Sequence, residues 1–158
     1  MSDIEYRSTD ISEIELVRPL WIKLNDHHHA HARAFRSQYE QWTFDDRKAQ
    51  FEKIAAAGSL RVDLALDPET GRYIGYCVSS LSQEKAGEIE SIFVEKDYRS
   101  RGIGSALVTR ALAWLDENGS IRNLVPVADG NEEALEFYRR FGFYPRMTVL
   151  ELKKDSPV

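Results

Sequence analysis

The fold class is decided by the stretch YRSRGIGSALV (residues 98–108). Gly102 and Gly104 lie one residue apart, Arg99 and Arg101 precede them, and an apolar helical pattern follows. A bare backbone at the start of a helix leaves N–H groups available to an anion, and the helix dipole adds to the attraction. Several nucleotide-binding designs begin in this way, so the spacing of the residues has to choose between them.

Two of these designs do not fit. A P-loop needs four residues between its glycines and a lysine after the second one, and the chain has neither. A dinucleotide-binding turn is disfavoured because Leu107 stands where glycine or alanine is needed. It also lacks the acidic residue expected about twenty positions further on, where Leu124 and Val125 lie. The remaining pattern, Arg-x-x-Gly-x-Gly, is typical of a pyrophosphate-binding turn, although a glycine-rich strand-to-helix turn without a ligand stays open at this point.

Composition limits the class of protein. The chain has 158 residues, of which 42% are hydrophobic and 30% are charged, and these values predict one soluble domain spanning residues 1–158. No apolar run reaches about 18 residues, and the N-terminus MSDIEYRSTD lacks the features of a signal peptide, so no membrane partner is expected. The single cysteine, Cys77, favours a cytoplasmic location. A net charge of −5 with scattered basic residues disfavours nucleic acid as a partner.

Periodicity predicts a mixed α/β domain. Alternating residues predict strands at 4–7, 60–67, 72–81, 88–96, 122–129 and 143–154. Helical spacing predicts helices that begin near a Ser12–Glu15 capping box, at 43–57 with Thr43 as N-cap, at 102–118 and at 131–142. Pro19 predicts a kink or a late start of the first helix. Residues 25–42 remain ambiguous between helix and loop.

A second stretch, NEEALEFYRRFGF (residues 131–143), completes a recognisable pair of motifs. Together with the Arg-x-x-Gly-x-Gly turn, in this order and in this β/α setting, it resembles the GNAT superfamily of acyl-CoA-dependent N-acetyltransferases, and the resemblance covers nearly the whole chain. It implies a mixed, mostly antiparallel sheet with splayed central strands flanked by helices. It also implies acetyl-CoA as co-substrate, no metal, and a possible homodimer.

The resemblance also implies where acetyl-CoA binds, namely where the fourth and fifth strands separate. The positions that match its pantetheine and pyrophosphate contacts are Ile92, Phe93, Val94, Arg99, Ser100, Arg101, Gly102, Ile103, Gly104 and Ser105. Asn131 is interpreted as the N-cap of the last helix and as a further contact to the cofactor. Pro126 supports the separation independently, because proline cannot donate a ladder hydrogen bond, although a local bulge would also explain it.

Three residues are candidates for catalysis. Tyr138 matches the tyrosine that faces the cofactor sulfur in many family members, and its alternative role is that of a core aromatic. Glu88 and Glu90 are two apart on a strand and are expected to share a face with Ile92, where either could take the proton of the acceptor amine. A water chain, or two solvated carboxylates without a role, are the alternatives. A backbone N–H of Phe93 or Val94 is the candidate donor to the carbonyl oxygen.

The residues that would bind the acceptor amine are the ones that the sequence indicates least clearly. His27 and His31 are one helical turn apart and could form a zinc pair, but no third ligand is evident and no metal is predicted. The segment 27–42 is expected to influence the choice of acceptor. The predicted function is transfer of an acetyl group to a primary amine of a small molecule or peptide by direct attack in a ternary complex. The alternatives are a catalytically inactive GNAT-fold sensor or interaction module that binds acyl-CoA and a nicotinamide-dependent oxidoreductase.

Overall fold

The computed structural model describes residues 3–154. The strands are β1 (Glu5–Thr9), β2 (Gly58–Asp67), β3 (Arg72–Ser82), β4 (Ala86–Val94) and β5 (Arg122–Leu124). The α-helices are α1 (Arg18–His31), α2 (Arg36–Gln41), α3 (Phe44–Ala57), α4 (Ile103–Glu117) and α5 (Glu133–Arg139), and short 3-10 helices cover Ile11–Val17 and Lys96–Tyr98. The chain divides into two compact units. The first comprises residues 3–24 and 43–126, and the second comprises residues 25–42 and 127–154.

The first unit is built on a five-stranded sheet in the order β1-β2-β3-β4-β5. Neighbouring strands are antiparallel except for β4 and β5, which are parallel. The predicted hairpin of β2 and β3 is confirmed, and Gly71 closes its turn by donating a 2.8 Å hydrogen bond to the carbonyl of Asp67. The predicted fold class, a mixed α/β sheet flanked by helices, is therefore confirmed.

Helix α3 begins and packs as its sequence predicts. Thr43 is the N-cap, its hydroxyl accepts from the Asp46 N–H, and the Asp46 carboxylate accepts from the Thr43 N–H. This reciprocal capping satisfies two N–H groups that the helix itself leaves unpaired. Helix α3 then places Phe51, which has no solvent exposure, against the buried Tyr76 of β3 in one apolar cluster.

The start of the first helical segment differs from the prediction. Asp10, and not Ser12, caps the 3-10 helix, because its carboxylate accepts from the Ser12 N–H. The α-helix itself begins only at Arg18, which places Pro19 in the first turn, where its missing N–H costs nothing. Of the two outcomes that Pro19 predicted, the late start is the one observed.

Helix α4 packs on β2, β3 and β4. Its Leu107 side chain lies close to Gly75, the neighbour of Tyr76 on β3, so by alternation α4 lies on the face opposite the cluster of Phe51 and Tyr76. Its buried residues, Ile103, Leu107, Val108, Ala111 and Leu115, recur at helical spacing. The helix predicted at 102–118 is confirmed over Ile103–Glu117. Within the described residues, no helix is long and apolar enough to cross a bilayer.

Two predicted strands are corrected. The strand expected at 122–129 is only three residues long and ends at Leu124. The strand expected at 143–154 is absent, because this segment is irregular and its large apolar side chains Tyr144, Met147, Val149, Leu150 and Leu152 are exposed. Alternation tells which face a strand would bury, but a strand also needs a neighbour that accepts its ladder bonds, and no described strand pairs with this segment.

Candidate active site

Strands β4 and β5 pair over only three residues. The pairs are Ala86 with Arg122, Gly87 with Asn123 and Glu88 with Leu124. Beyond Glu88, β4 continues from Ile89 to Val94, paired with β3 on one side and with no described strand on the other. The predicted separation is therefore observed, with β5 at the edge of the described sheet. Pro126 comes two residues after the end of β5 and lies outside the described strands, so neither a strand that continues apart from β4 nor a bulge is observed at this proline.

A bulge at Glu90 changes which residues of β4 share a face. Glu88 pairs with Ser80 and Ile92 pairs with Cys77, so the register shifts by one residue between them. Ser80 and Cys77 are three apart on β3 and point to opposite faces. The expectation that Glu88 shares a face with Ile92 is therefore wrong, because alternation cannot continue through an inserted residue.

Glu90 is held from two sides. The Ser80 hydroxyl donates a 2.7 Å hydrogen bond to Glu90 Oε2. Arg47 Nη2 donates a 2.6 Å hydrogen bond to the Glu90 backbone carbonyl and lies 3.7 Å from Glu90 Oε1. Only 9% of the Glu90 side chain is exposed, so this carboxylate is not one of the solvated surface groups that the alternative interpretation assumed.

Glu88 lies beside Glu90 and titrates unusually. Burial, then a side-chain hydrogen bond to Glu90 and the charge of Glu90, raise the pKa of Glu88 to about 7, while the Arg47 charge opposes this rise. A carboxyl with a pKa in this range can accept and release protons near neutral pH. A pKa raised towards neutral is one of the properties that a general base at the position of Glu88 would need.

The turn before α4 contains two residues in the left-handed region of the backbone. Ser100 and Gly102 both adopt left-handed backbone conformations, with φ of 64° and 78°. The Arg99 side chain is anchored, because its Nε donates a 3.0 Å hydrogen bond to the Val94 carbonyl and its guanidinium lies 5.3 Å from the centre of the Phe93 ring. Both Arg99 and Arg101 remain exposed and can add positive charge to a ligand at the turn.

The first turn of α4 presents backbone donors. Gly102 is the N-cap, and the first intrahelical bond runs from the Ala106 N–H to the Gly102 carbonyl at 3.0 Å. The N–H groups of Ile103, Gly104 and Ser105 precede that bond, and no side chain among the described residues caps this helix end. Gly104 and Ser105 themselves are partly exposed.

The second unit contains Asn131 and Tyr138. Asn131 is not the N-cap of α5. That position belongs to Glu132, whose backbone is already helical and which makes no capping bond, since the chain enters the helix through successive turns rather than from an extended residue. Tyr138 is buried, with its ring 5.0 Å from that of Phe137 and 5.8 Å from that of Phe143. Phe137, its neighbour on the same helix, is partly exposed.

The histidines lie at the end of α1 and behave differently from one another. The rings of His27 and His31 stack at 4.1 Å, and His31 Nδ1 donates a 2.8 Å hydrogen bond to the His27 carbonyl. His29 lies 2.9 Å from Glu40 of α2. Burial, followed by the charges of His27 and His31, lowers the pKa of His28 to about 4. Among the described residues, no group of three or more potential metal ligands occurs.

Sequence reasoning missed Arg47 and Ser80. Ser80 is one of several serines in β3 and carries no signal of its own. Arg47 carries a weak one. A basic residue in the first turns of a helix is unfavourable, because the helix dipole is positive at that end. Arg47 stands there directly after Asp45 and Asp46, whose negative charges suit the position. A positive charge at residue 47 is therefore a weak sign of a partner elsewhere in the chain.

The sheet and the turn together define a class: α/β proteins that can hold an extended, phosphate-bearing ligand along an open strand edge. Within that class, the chain belongs to the acetyltransferase (GNAT) family, whose model matches residues 22–143.

Relatives and solved structures agree with this membership. A mycothiol acetyltransferase of Salinispora tropica is 32% identical over 132 residues, which cover 78% of this chain and 40% of that protein. An uncharacterised N-acetyltransferase of Methanocaldococcus jannaschii is 38% identical over 74 residues, covering 46% of this chain and 32% of that protein. The chain thus spans less than half the length of these curated relatives.

The fold is shared with solved acetyltransferases. An N-acetyltransferase of Ralstonia eutropha superposes with a TM-score of 0.76 at 21% identity, covering 95% of this chain and 98% of that one. An aminoglycoside N-acetyltransferase in complex with CoA has a TM-score of 0.70 at 20% identity, covering 99% of this chain and 97% of that one.

Proposed function

We propose that the protein is an acetyl-CoA-dependent N-acetyltransferase that acts on a primary amine of a small molecule or peptide, by direct attack in a ternary complex. The observation that carries the proposal is the strand edge of β4 beyond Glu88, which leads to the glycine turn and the first turn of α4. Acetyl-CoA would supply the acetyl group as an activated thioester.

The backbone of β4 fits an extended, amide-containing ligand. N–H directions alternate along a strand. Glu95 donates towards β3, to the Ile74 carbonyl at 2.8 Å, whereas the Val94 carbonyl accepts from Arg99 and not from β3. The alternation therefore favours Ile92 and Val94 over Phe93 as donors on the open edge. Val94 is our candidate donor to the carbonyl oxygen as it gains negative charge.

Pyrophosphate recognition is assigned to the turn and to α4. The N–H groups of Ile103, Gly104 and Ser105, together with the positive end of the helix dipole, suit two adjacent phosphates. Arg99 and Arg101 add charge, and Gly102 and Gly104 keep Cβ atoms away from the ligand. Asn131 of the second unit is proposed as a further polar contact on the strength of its position in the second motif.

Proton removal is assigned to Glu88. An alkylammonium with a pKa of about 10.4 is less than about one part in a thousand neutral at pH 7, a handicap of about 4–5 kcal/mol. Glu88, whose pKa is raised to about 7, can take this proton directly or through water, and it is ionised in a substantial fraction of molecules at neutral pH.

Tyr138 is assigned to the leaving thiolate. A free tyrosine has a pKa of about 10 and a thiol one of about 8.5, so complete proton transfer from tyrosine to thiolate is slightly uphill. Its proposed role is therefore a hydrogen bond that stabilises the thiolate.

For the acceptor we propose a chemical class and not a particular molecule. Solved relatives include an aminoglycoside acetyltransferase, and curated ones include mycothiol acetyltransferases, which supports a small-molecule amine. The matched region, residues 22–143, includes parts of both units and supports a single catalytic domain. We also propose a cytoplasmic location and a homodimer. Sedimentation of the purified protein tests the homodimer.

The proposal is tested by release of CoA thiol from acetyl-CoA in the presence of peptides, polyamines, aminoglycosides and amino acids. Release with at least one amine, and acetylation of that amine by mass spectrometry, is the expected result. Binding of acetyl-CoA without turnover on the whole panel would favour the inactive sensor. A melting temperature raised by NAD and not by CoA species would favour an oxidoreductase.

Two variants examine the assigned residues. Gly104→Val should abolish most CoA binding, because a branched side chain would occupy the space of the pyrophosphate, whereas Thr109→Val on the exposed face of α4 should leave binding intact.

Tyr138→Phe should lower kcat with little change in cofactor affinity, and Tyr144→Phe, an exposed tyrosine of the same unit, should change neither.

A further inference from the structure

Within the described residues, Arg47 of α3 is the largely buried cation that contacts Glu90 of the carboxyl pair. Its Nη2 donates a 2.6 Å hydrogen bond to the Glu90 carbonyl at the bulge and lies 3.7 Å from the Glu90 carboxylate. Its side chain is 18% exposed. A charge so poorly hydrated requires a partner of opposite sign, and Glu90 is that partner.

The guanidinium is fixed in this place. Its carbon lies 4.3 Å from the centre of the Phe51 ring, and Nη1 donates a 2.8 Å hydrogen bond to Gln50 Oε1. Phe51 is fully buried in the core of the first unit. An arginine stacked and bonded in this way loses little further freedom when it binds a carboxylate, so its effect on Glu90 is local and directed.

The two carboxyls are not equivalent in this setting. The side-chain hydrogen bond between Glu88 and Glu90 needs one proton, since an ionised carboxylate has none to donate. Glu90 has a cation near Oε1 and the Ser80 hydroxyl on Oε2, and both favour its ionised form. The shared proton therefore belongs on Glu88.

We propose that Arg47 is a positioning residue of the reaction: it keeps Glu90 ionised and the bulge in place, so that Glu88 is the carboxyl that takes the proton of the acceptor ammonium. In this step Glu88 acts in its ionised form, after the shared proton has left for solvent: an N–H bond of the ammonium breaks, an O–H bond forms on Glu88, and the nitrogen lone pair becomes free to attack. The proton later leaves Glu88 for solvent. The inference rests on the proposed acetyltransferase function.

The other groups that face Glu88 do not compete for this role. On β3, Ser80 is uncharged, and Tyr76 is buried with its hydroxyl 2.6 Å from Ser91 Oγ, and burial raises its pKa. On β5, Leu124 is the direct neighbour of Glu88, and the only charged residue of that strand, Arg122, pairs with Ala86. Arg47 and Glu90 are thus the charges that set the state of Glu88.

A direct test follows the Glu88 carboxyl by NMR in protein with labelled glutamate, with the signal identified by its loss in Glu88→Gln. In Arg47→Met the midpoint of the coupled pair, followed through both carboxyl signals, should rise by about one pH unit or more, because a positive charge has been removed, and Glu90 should share the proton that Glu88 holds alone in the wild type. Arg47→Lys should restore much of the wild-type midpoint and also controls for misfolding. Lys48→Met, which removes a neighbouring exposed cation, should change nothing.

The direction in which the titration midpoint moves distinguishes the loss of the Arg47 charge from a loosening of the packing around Glu88. Added water around Glu88 would lower its midpoint, whereas loss of the Arg47 charge raises it. Glu90→Gln should move the midpoint down, in the opposite direction to Arg47→Met. An unchanged or lowered midpoint in Arg47→Met would overturn the inference about Arg47 and leave the proposed acetyltransferase function standing.

The pH dependence of kcat/KM completes the test. Its acidic limb should move to higher pH in Arg47→Met together with the NMR midpoint, and Arg47→Lys should reverse much of that movement. An active enzyme whose acidic limb stays in place while the midpoint moves would overturn the role of Glu88 as proton acceptor. A wild-type protein that acetylates no amine would refute the proposed function itself, and with it this role for Arg47.

Discussion

The two units of the chain are stabilised in different ways. The first has long paired strands and a core in which Phe51 and Tyr76 are fully buried. In the described part of the second, only Ala32 and Tyr138 are buried, and much of its cohesion comes from ring contacts and exposed ion pairs such as Arg33 with Asp129 at 2.6 Å. Exposed ion pairs contribute about 0–1 kcal/mol each, so the first unit carries most of the unfolding free energy. A segment with so little buried surface can change shape at low cost, which suits one that adapts to an acceptor.

The largest effect is expected from Phe51→Ala. Removing a fully buried ring should lower the free energy of unfolding by about 3–5 kcal/mol, measured by chemical denaturation. Phe137→Ala, in the partly exposed aromatic group of the second unit, is the matched control and should cost less than half as much. Equal losses would contradict the contrast between the two units.

Gly130→Ala tests a close approach of two backbone segments within the second unit. Gly130 has a φ of +94°, and a Cβ added there would lie 2.0 Å from the His31 carbonyl oxygen. Gly119 has a φ of +78° but nothing within 4 Å of such a Cβ. Gly119→Ala should cost about 1 kcal/mol from backbone strain alone, and Gly130→Ala should cost clearly more. An equal loss of unfolding free energy in the two variants would show that the backbone around Gly130 can move apart at no extra cost.

His28 makes the second unit sensitive to acid. Its pKa is lowered from 6.5 to about 4, so the fold favours the neutral ring, and this stability is present above pH 6.5 and is lost as pH falls towards 4. We expect hydrogen exchange at the end of α1 to accelerate over this window in the wild type. His28→Phe, which cannot be protonated, should flatten that dependence, and a variant with the wild-type pH profile would contradict the assignment.

Glu88 gives the opposite and smaller dependence in the first unit. Its pKa is raised to about 7, so the contribution of its neutral form to stability is present below about pH 4.5 and is lost as pH rises through 7. Glu88→Gln should therefore raise the melting temperature more at pH 8 than at pH 5. Solvent screening limits the gain to about 1 kcal/mol, or about 2–4 °C. Glu84→Gln, at an exposed site, should show no such pH dependence.

The contrast also explains which parts of the structure were readable in the sequence. The β2–β3 hairpin and helices α3 and α4 follow from local patterns, since turn residues, caps and apolar spacing act within a few positions. The turn at 99–104 was readable because glycine spacing is itself a backbone requirement.

The errors lie where a distant partner decides. The bulge at Glu90 depends on the register with β3, so alternation wrongly placed Glu88 with Ile92. The segment 143–154 has a strand pattern but no described neighbour, and the approach to α5 does not use Asn131 as its cap. Arg47 reaches Glu90 from forty-three positions away, and only a weak sign of that contact was visible in the chain.

The early end of the β4–β5 ladder also bears on how the protein behaves in solution. The segment from Ile89 to Val94 offers a row of backbone donors and acceptors to which no described strand is bonded, and such a row is a template for a strand of another molecule. A cofactor lying along the same row would occupy that template. Acetyl-CoA should therefore slow self-association of the concentrated protein, as measured by light scattering. The larger the fraction of protein with acetyl-CoA bound, the more slowly the protein should aggregate.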